Sequence, residues 1–306
     1  MKTKRITLLL LLPFIWGCYY VASQYSVAGM SVFSVGIVIR FITMLLLLII
    51  MFRKKQIKLL IKVKGVLPRL ILIGILGYAL DLTAFLGLSH SSAGVGTALL
   101  KSDIIFVNLI SVIIYKERFA KRDWIFSLLT LFGVFLVLDI DFMNLNIMNK
   151  GNIFFVLSAL FVSINAFVIK SAQTDKNNPI PDNVVAFYNN FITLILFLGS
   201  AASMGTLNQL SKIGTNKGLV LSVSLAGLGQ TLVYVVYYYN LRNNPVWIVK
   251  VCTLLMPVVA MLVTFLLFGT VIGEKQLMGI AVVLSGALGV LLDQKKKITV
   301  ETAENL

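Results

Sequence analysis

Residues 40–51 read RFITMLLLLIIM, and residues 190–196 read NFITLIL. From Met44 to Met51 the first stretch is continuously apolar, whereas the strands of a membrane barrel alternate polar and apolar side chains. A helix that crosses the hydrocarbon core needs about 20 apolar residues, and both stretches lie inside apolar runs of this order. The pattern therefore predicts membrane-spanning helices, and the shared letters FIT indicate two similar helices, one in each half of the chain.

The composition of the whole chain is typical of a protein surrounded by lipid. Of the 306 residues, 58% are hydrophobic and 13% are charged, and the mean hydropathy is +0.94. Soluble domains carry roughly 25% charged residues. The net charge of +15 lies in short clusters between apolar runs, which indicates orientation in a membrane. We expect a lipid bilayer around the chain, no soluble domain and no nucleic-acid partner.

Ten apolar runs, separated by short loops, account for nearly all of the chain. The predicted helices cover residues 6–23, 30–52, 68–88, 92–115, 122–139, 152–171, 184–204, 217–239, 247–269 and 277–292. The basic start and the apolar residues up to Cys18 resemble a signal peptide. The bulky Trp16 and the apolar residues after Cys18 favour an uncleaved first helix instead.

The distribution of Lys and Arg predicts how the helices are oriented. With the N-terminus in the cytoplasm, 20 of the 27 Lys and Arg residues lie in cytoplasmic segments and four lie outside. The remaining three, Arg40, Lys101 and Lys250, lie inside predicted helices. The positive-inside rule therefore places both termini in the cytoplasm of a multi-pass protein in a bacterial inner membrane.

The two halves of the chain also align over a second region. Three pairs of residues share one offset of 153: Glu117 with Thr270, Phe126 with Gly279, and Gly133 with Gly286. Each half contains five predicted helices, an odd number, so the second copy lies upside down relative to the first. We predict an all-α integral membrane protein of ten transmembrane helices in a 5+5 inverted-topology repeat. The first repeat covers residues 1–141 and the second covers residues 142–306.

Five stretches carry a resemblance to a known family. They are FIWGCYYVAS at 14–23, IRFITMLLLL at 39–48, YKERFAKRDWIFSLLTLFGVFLVL at 115–138, MPVVAMLVTFLLFG at 256–269 and MGIAVVLSGALGVLL at 278–292. With these stretches the chain resembles the EamA-type members of the drug/metabolite transporter superfamily over almost its whole length. The resemblance implies a ten-helix inverted repeat with a central cavity. It implies no particular substrate, because the family transports amino acids, nucleosides, sugars, amines and drugs.

The sequence departs from the family pattern at two positions. Asp103 stands where the family usually has proline in the middle of helix 4, and Thr270 stands where the second half usually has glutamate. Helix 1 also lacks the glutamate of the related four-helix multidrug exporters. A drug/proton exchange that depends on that glutamate is therefore not implied.

Five ionisable residues lie well inside the predicted spans: Arg40, Asp81, Lys101, Asp103 and Lys250. Each costs about 2.5–3.5 kcal/mol in a bilayer by insertion scales, so each needs a partner, water or a function. Asp81 is the expected partner of Arg40 or Lys101. Arg40 is either a structural clamp or a ligand, and Lys250 either snorkels to the interface or lines the cavity. Full pairing leaves one positive charge, which would attract an anionic or zwitterionic substrate.

Uncharged candidates for substrate contact are polar or aromatic residues inside the spans. They are Trp16, Tyr20, Asn165, Asn190, Gln230 and Tyr234. Hydrogen bonding between helices is the alternative role of the amide side chains. The run YYY at 237–239 lies near the predicted cytoplasmic interface, so we expect an aromatic belt there. The small residues Gly279, Gly286 and Gly289 predict tight packing of helix 10.

These patterns favour a secondary transporter over an enzyme. The chain has no Walker A motif, one histidine and two cysteines without metal-ligand spacing, which argues against ATP hydrolysis, catalysis, a metal or a cofactor. We expect alternating access for a small metabolite or drug-like solute, and the family favours export. Protons carried by Asp81 or Asp103 are the candidate coupling ion. The alternatives are an importer of an anionic or zwitterionic nutrient and a non-transporting scaffold or sensor, each as a monomer or homodimer.

Overall fold

The computed structural model describes residues 2–90, 99–116, 121–138, 150–269 and 271–304, and within these ranges the regular structure is helical. The α-helices, numbered here in chain order, are α1 (Lys2–Gly29), α2 (Val32–Arg53), α3 (Leu67–His90), α4 (Asp103–Ile113), α5 (Lys121–Val137), α6 (Lys150–Gln173), α7 (Asp182–Ser203), α8 (Lys217–Asn243), α9 (Val246–Thr253), α10 (Met256–Phe268) and α11 (Glu274–Glu304). Two short 3-10 helices, Ile57–Ile61 and Leu207–Gly214, follow α2 and α7.

Six of the described helices are long and apolar enough to cross a bilayer. They are α1 over Ile6–Gly29, α2, α3 over Leu67–Ala84, α6, α7 and α8. The shorter α4 and the segment Val246–Val259 are also apolar. The chain is therefore an all-helical, multi-pass membrane protein.

Helix α2 shows how the local sequence builds such a span. The Ser31 hydroxyl caps its N-terminus by accepting a hydrogen bond from the Ser34 backbone N–H. The buried face carries Gly36, Arg40, Thr43, Leu47 and Met51, and the exposed face carries Phe41, Leu45, Ile49 and Phe52. Positions three and four residues apart share one face of a helix, so Arg40 and Thr43 turn inward together with Leu47 and Met51, and the exposed apolar side chains face the lipid.

Two predicted helices are interrupted, which corrects the expectation of continuous spans at 92–115 and 247–269. Lys101 and Ser102 form a turn before α4, and Leu254 and Leu255 form a turn before α10. Pro257 explains the second break, because proline has no N–H to bond to the preceding helical turn. The predicted spans 6–23 and 277–292 extend further, as α1 and α11.

Helices of the two halves begin at equivalent positions. Val32 and Asp182 begin α2 and α7, which both have 22 residues and start 150 residues apart. Leu67 and Lys217, the first residues of α3 and α8, are also 150 residues apart. The starts of α4 and α10 are 153 residues apart.

The turns after α2 and α7 have the same hydrogen bonds. The Gln56 N–H donates to the Met51 carbonyl at 2.8 Å, and the Thr206 N–H donates to the Ala201 carbonyl at 2.9 Å. Each turn contains a residue with positive φ, Lys55 in the first and Gly205 in the second. The sequences of the two turns differ, so the shared geometry reflects their equivalent places in the fold.

The two halves pack against each other through exchanged contacts. Helix α2 packs on α8, where the Thr43 hydroxyl donates to the Gly227 carbonyl at 3.2 Å. Helix α7 packs on α3, where the Thr193 hydroxyl donates to the Gly74 carbonyl, also at 3.2 Å. Neither glycine leaves room for a Cβ atom, so the helix backbones approach closely.

Helices α5 and α11 form a second tight contact. A Cβ atom on Gly279 would lie 2.5 Å from the Val137 backbone nitrogen, and one on Gly286 would lie 2.2 Å from the Thr130 hydroxyl. The small residues of the predicted tenth helix therefore pack as expected. This pair lies outside the cavity described below.

Several basic side chains meet at one end of the helices. Arg69 forms an ion pair of 2.5 Å with Asp175, and Arg242 forms one of 2.6 Å with Asp182. The Asn178 backbone N–H and the Arg69 side chain lower the pKa of the Asp175 carboxyl by stabilising its charged form. Helix ends and one loop on the predicted cytoplasmic side are therefore held together by ion pairs.

Candidate functional site

A cavity of about 380 Å³ lies between α1, α3, α6 and α8, where α4 and α9 meet. Pockets for small organic molecules typically measure roughly 300–1,000 Å³. All five ionisable residues predicted inside the spans line this cavity: Arg40, Asp81, Lys101, Asp103 and Lys250. Their convergence agrees with the rule that charged groups within a membrane face the protein interior or water.

Arg40, on α2, contacts three other helices. Its Nη2 pairs with Asp81 Oδ2 on α3 at 2.5 Å, and its Nη1 donates to the Tyr234 hydroxyl on α8. The Arg40 carbonyl accepts a hydrogen bond of 2.7 Å from Asn190 Nδ2 on α7. Asp81 is thus the partner of Arg40, one of the two that the sequence left open. These contacts give Arg40 the clamp geometry, while its side chain also lines the cavity.

Lys250 and Asp103 form a buried ion pair between the two interrupted segments. The Lys250 ammonium donates to Asp103 Oδ2 at 2.8 Å, and the side chains are 1% and 5% exposed. Lys250 lies in the last turn of α9 and Asp103 in the first turn of α4. Both positions suit the helix dipoles. The snorkelling alternative for Lys250 is wrong, because its side chain turns inward to this carboxylate.

Lys101 is the third cation of the cavity. Among the described residues it has no carboxylate within ion-pair distance, because Asp81 and Asp103 pair with the other two cations. Its Nζ lies 3.7 Å from the Met256 sulfur and 5.9 Å from the centroid of a Trp16 ring. Lys101 is therefore where the surplus positive charge lies.

Four of the uncharged candidates line the cavity: Trp16, Asn165, Gln230 and Tyr234. Asn190 does not line it, and its side-chain amide instead donates a hydrogen bond to the Arg40 backbone carbonyl. The Tyr20 side chain lies outside the described part of the structure, whereas the neighbouring Tyr19 lines the cavity.

The sequence interpretation missed several lining residues, chiefly on α8. Tyr237 and Tyr238 are buried against the cavity, so the prediction of an aromatic belt is wrong for these two. Asn189, also missed, donates a hydrogen bond of 2.6 Å to the Tyr238 hydroxyl. The spacing could have predicted that these tyrosines line the cavity, because residues three and four positions after Tyr234 lie on the same face of a helix.

Aromatic side chains form much of the cavity wall. They are Trp16, Tyr19, Phe155, Tyr234, Tyr237 and Tyr238. The rings of Trp16 and Tyr237 meet edge to face at 5.2 Å, and those of Tyr234 and Tyr238 do so at 5.3 Å. Such contacts hold the rings in place. The cavity can thus bind a solute that has an apolar body and a polar or charged group.

The chain is similar to known transporters. An uncharacterized transporter of Bacillus subtilis (strain 168), YdfC, is 28% identical over 137 residues, which span 43% of each chain. An uncharacterized transporter of Archaeoglobus fulgidus is 25% identical over 285 residues, 92% of this chain and 96% of that protein. A crystal structure superimposes with a TM-score of 0.80 over 96% of this chain and 98% of its own, at 15% identity, and so shares the fold.

The family profile covers nearly the whole sequence. The EamA-like transporter family matches residues 3–139 and residues 149–292. These two segments include all five charged residues of the cavity. The chain belongs to the EamA-like transporter family and is a multi-pass membrane transporter.

Proposed function

We propose that the protein is a secondary transporter that moves a small metabolite or drug-like solute across the membrane by alternating access. The observation that carries the proposal is the cavity where helices of both halves meet. The Arg40–Tyr234 hydrogen bond and the Lys250–Asp103 ion pair each join a helix of the first half to one of the second. A solute bound there contacts both halves, as transport by relative movement of two repeats requires.

The proposed architecture is a pair of inverted repeats of five spans each, with the boundary between residues 141 and 142. The boundary lies outside the described residues. The similar starting offsets of α2, α3 and α4 from their counterparts, 150 or 153 residues, support the proposal, as do the exchanged threonine–glycine contacts. The two segments matched by the family profile, 3–139 and 149–292, agree with it as well. An odd number of spans per repeat makes the second copy run upside down.

We propose that both termini lie in the cytoplasm of a bacterial cell, with the chain in the inner membrane. The support is the excess of Lys and Arg in the loops on that side, together with the ion pairs there. Export is the proposed direction by analogy with the family alone. A catalytic activity is not part of the proposal.

An importer of an anionic or zwitterionic nutrient is the second candidate. The surplus cation in the cavity favours it, because a positive site within a membrane attracts and orients an anionic group. Export and import can use the same cavity and differ in the direction of net solute flux. Measuring uptake in whole cells against uptake in inverted vesicles separates the two directions.

The test is a counterflow assay with purified protein in proteoliposomes. A thermal-shift screen against carboxylates, amino acids, amines, nucleosides and sugar phosphates first identifies a ligand, since a ligand raises the melting temperature by mass action. We expect liposomes loaded with that ligand to accumulate its labelled form, and empty liposomes or liposomes without protein not to do so. Binding without any exchange would favour a sensor or scaffold and contradict the proposal.

A further inference from the structure

The charges around the cavity do not balance. Its described lining holds three cations and two carboxylates, and both carboxylates are engaged by ion pairs, Arg40 with Asp81 and Lys250 with Asp103. The lining therefore carries one net positive charge, located at Lys101. A buried charge without a counter-ion is unfavourable in a low-dielectric environment.

Asp103 attracts Lys101 at longer range, but this carboxylate is already paired with Lys250, whose charge repels Lys101. The Lys101 Nζ contacts the Met256 sulfur at 3.7 Å, a weak acceptor without net charge. The face of the Trp16 ring lies 5.9 Å away and supplies a modest cation–π attraction. Lys101 is 8% exposed, so part of its side chain reaches the empty space of the cavity. A bound solute can thus supply the missing negative charge.

The other two cations are poorly placed for the same task. Lys250 is 1% exposed and bonded to Asp103, so its ammonium is hidden from a solute. The Arg40 guanidinium donates to both Asp81 and Tyr234. An anion that approached Arg40 would also approach the Asp81 carboxylate, which is 19% exposed and repels it.

The remaining walls define the rest of the solute. Trp16, Tyr19, Phe155 and Tyr237 line the same cavity as Lys101 with aromatic rings. Such rings bury an apolar or aromatic body, and a cavity of about 380 Å³ holds one of modest size.

We propose that Lys101 is the anion-binding point of the cavity and that the transported solute is a monoanion, a carboxylate with an apolar or aromatic body. This inference rests on the proposed function, because it names the substrate class of the same cavity. The single uncompensated charge selects one negative group. The head group of the solute pairs with the Lys101 ammonium, and its body packs on the rings.

The experiment uses four probes with nearly the same body and different head groups. They are 3-phenylpropionate, its neutral amide, 3-phenylpropylamine and phenylalanine. Binding of each to the purified full chain in detergent is measured by equilibrium dialysis. We expect the propionate to bind at least about tenfold tighter than the amide, because a hydrogen bond to a charged partner contributes about 1.5–3 kcal/mol. We expect weaker binding of phenylalanine, and the weakest binding of the amine.

Substitutions at Lys101 assign the preference to this residue. Lys101→Met should remove the difference between propionate and amide, whereas Lys101→Arg should retain it. The exposed Lys62 gives the matched control, because Lys62→Met removes the same charge outside the cavity and should leave the ratio unchanged. Thermal melting without ligand establishes that each variant is folded. If Lys101→Met does not fold, binding of the four probes to the native chain and to Lys101→Arg tests the inference.

Three results would overturn the inference. One is an unchanged ratio of propionate to amide binding in folded Lys101→Met. The second is tighter binding of phenylalanine or the amine than of the propionate to the native chain, and the third is no binding of any probe. Transport is measured separately by counterflow. Propionate binding without exchange would contradict the proposed function only, and exchange of solutes without a preference for anions would contradict this inference only.

Discussion

At the scale of single residues, the Lys250–Asp103 pair is the contact most sensitive to change. Both side chains are almost fully buried, so removing one partner leaves an uncompensated charge. We expect Lys250→Met and Asp103→Leu to lower the free energy of unfolding by about 3 kcal/mol or more each, and the double variant to recover much of the loss. Unfolding in mixed micelles measures all four proteins of the cycle.

The exposed pair Arg69–Asp175 provides the control for this cycle. Arg69 is 46% exposed, so the corresponding single variants should lose less than about 1 kcal/mol. Equal and additive losses at the two pairs would contradict the interpretation of the buried pair.

The two carboxylates of the cavity test whether transport is coupled to protons. If Asp81 or Asp103 carries the proton, its replacement by Asn removes the carboxylate that would bind it. The variant should then transport at a rate that no longer depends on pH in the range where the native protein responds, while counterflow continues. Proteoliposomes with imposed pH gradients measure both. Coupling through these residues is excluded if both variants keep the native pH profile.

The cavity residues also show how much of a site can be predicted from the sequence. The five ionisable residues were identified because a charge inside a membrane must face the protein interior, whatever the fold. Asn190 was predicted to contact the solute, whereas its neighbour Asn189, about 100° away around the helix, lines the cavity. Which of them faces the cavity depends on the rotation of α7 against its neighbours, and that rotation is a property of packing.

At the scale of helices, the contact between α5 and α11 depends on glycine. A methyl group on Gly279 would lie 2.5 Å from the Val137 backbone nitrogen and 2.9 Å from the Leu136 carbonyl carbon, so a backbone must move. We expect Gly279→Ala to lower the free energy of unfolding by about 1–3 kcal/mol. Thermal melting in detergent checks this value.

Gly199 on α7 is the matched control for that substitution. A Cβ atom there would meet nothing within 4 Å, and alanine favours a helix over glycine by up to about 1 kcal/mol. Gly199→Ala should therefore be neutral or stabilising. A similar loss of stability at both positions would indicate that Gly279 matters for a reason other than close packing.

The two helix breaks show what hydrophobicity cannot predict. Hydrophobicity reports the length of an apolar run, and it does not change where a helix breaks within that run. Pro257 signals the second break, but residues 101–102 contain no proline or glycine. In the structure the Ser102 hydroxyl donates to the Leu99 carbonyl at 2.6 Å, an alternative to helical bonding that serine offers in many contexts.

For the whole molecule, the proposed orientation has a direct test at two equivalent loop positions. Lys62 and Lys212 lie 150 residues apart, beside the 3-10 helices that follow α2 and α7. With Cys18 and Cys252 replaced by alanine, a cysteine at position 212 should react with a membrane-impermeant maleimide in intact cells. A cysteine at position 62 should react only in inverted vesicles. The opposite pattern would place the termini outside the cytoplasm.

The overall arrangement was partly predictable because two of its causes act through composition alone. The bilayer thickness sets the length of the apolar runs, and the Lys and Arg bias sets their orientation. The exchange of contacts between the halves, with α2 on α8 and α7 on α3, was not predicted. It depends on local packing, such as Gly74 against Thr193 and Gly227 against Thr43. The average hydrophobicity of a span does not reveal such contacts.

The two helix breaks have a consequence for the transport cycle, because they carry different residues. Lys101 and Asp103 lie at the break before α4, whereas Leu254, Leu255 and Pro257 lie at the break before α10. In a carrier of two identical inverted halves, the inward-facing and outward-facing forms would be related by a two-fold rotation and equal in free energy. Charges at only one of the breaks remove that equality, so we expect the empty carrier to rest preferentially in one form. Its half-saturation constants for the same solute on the two faces of the membrane will then differ.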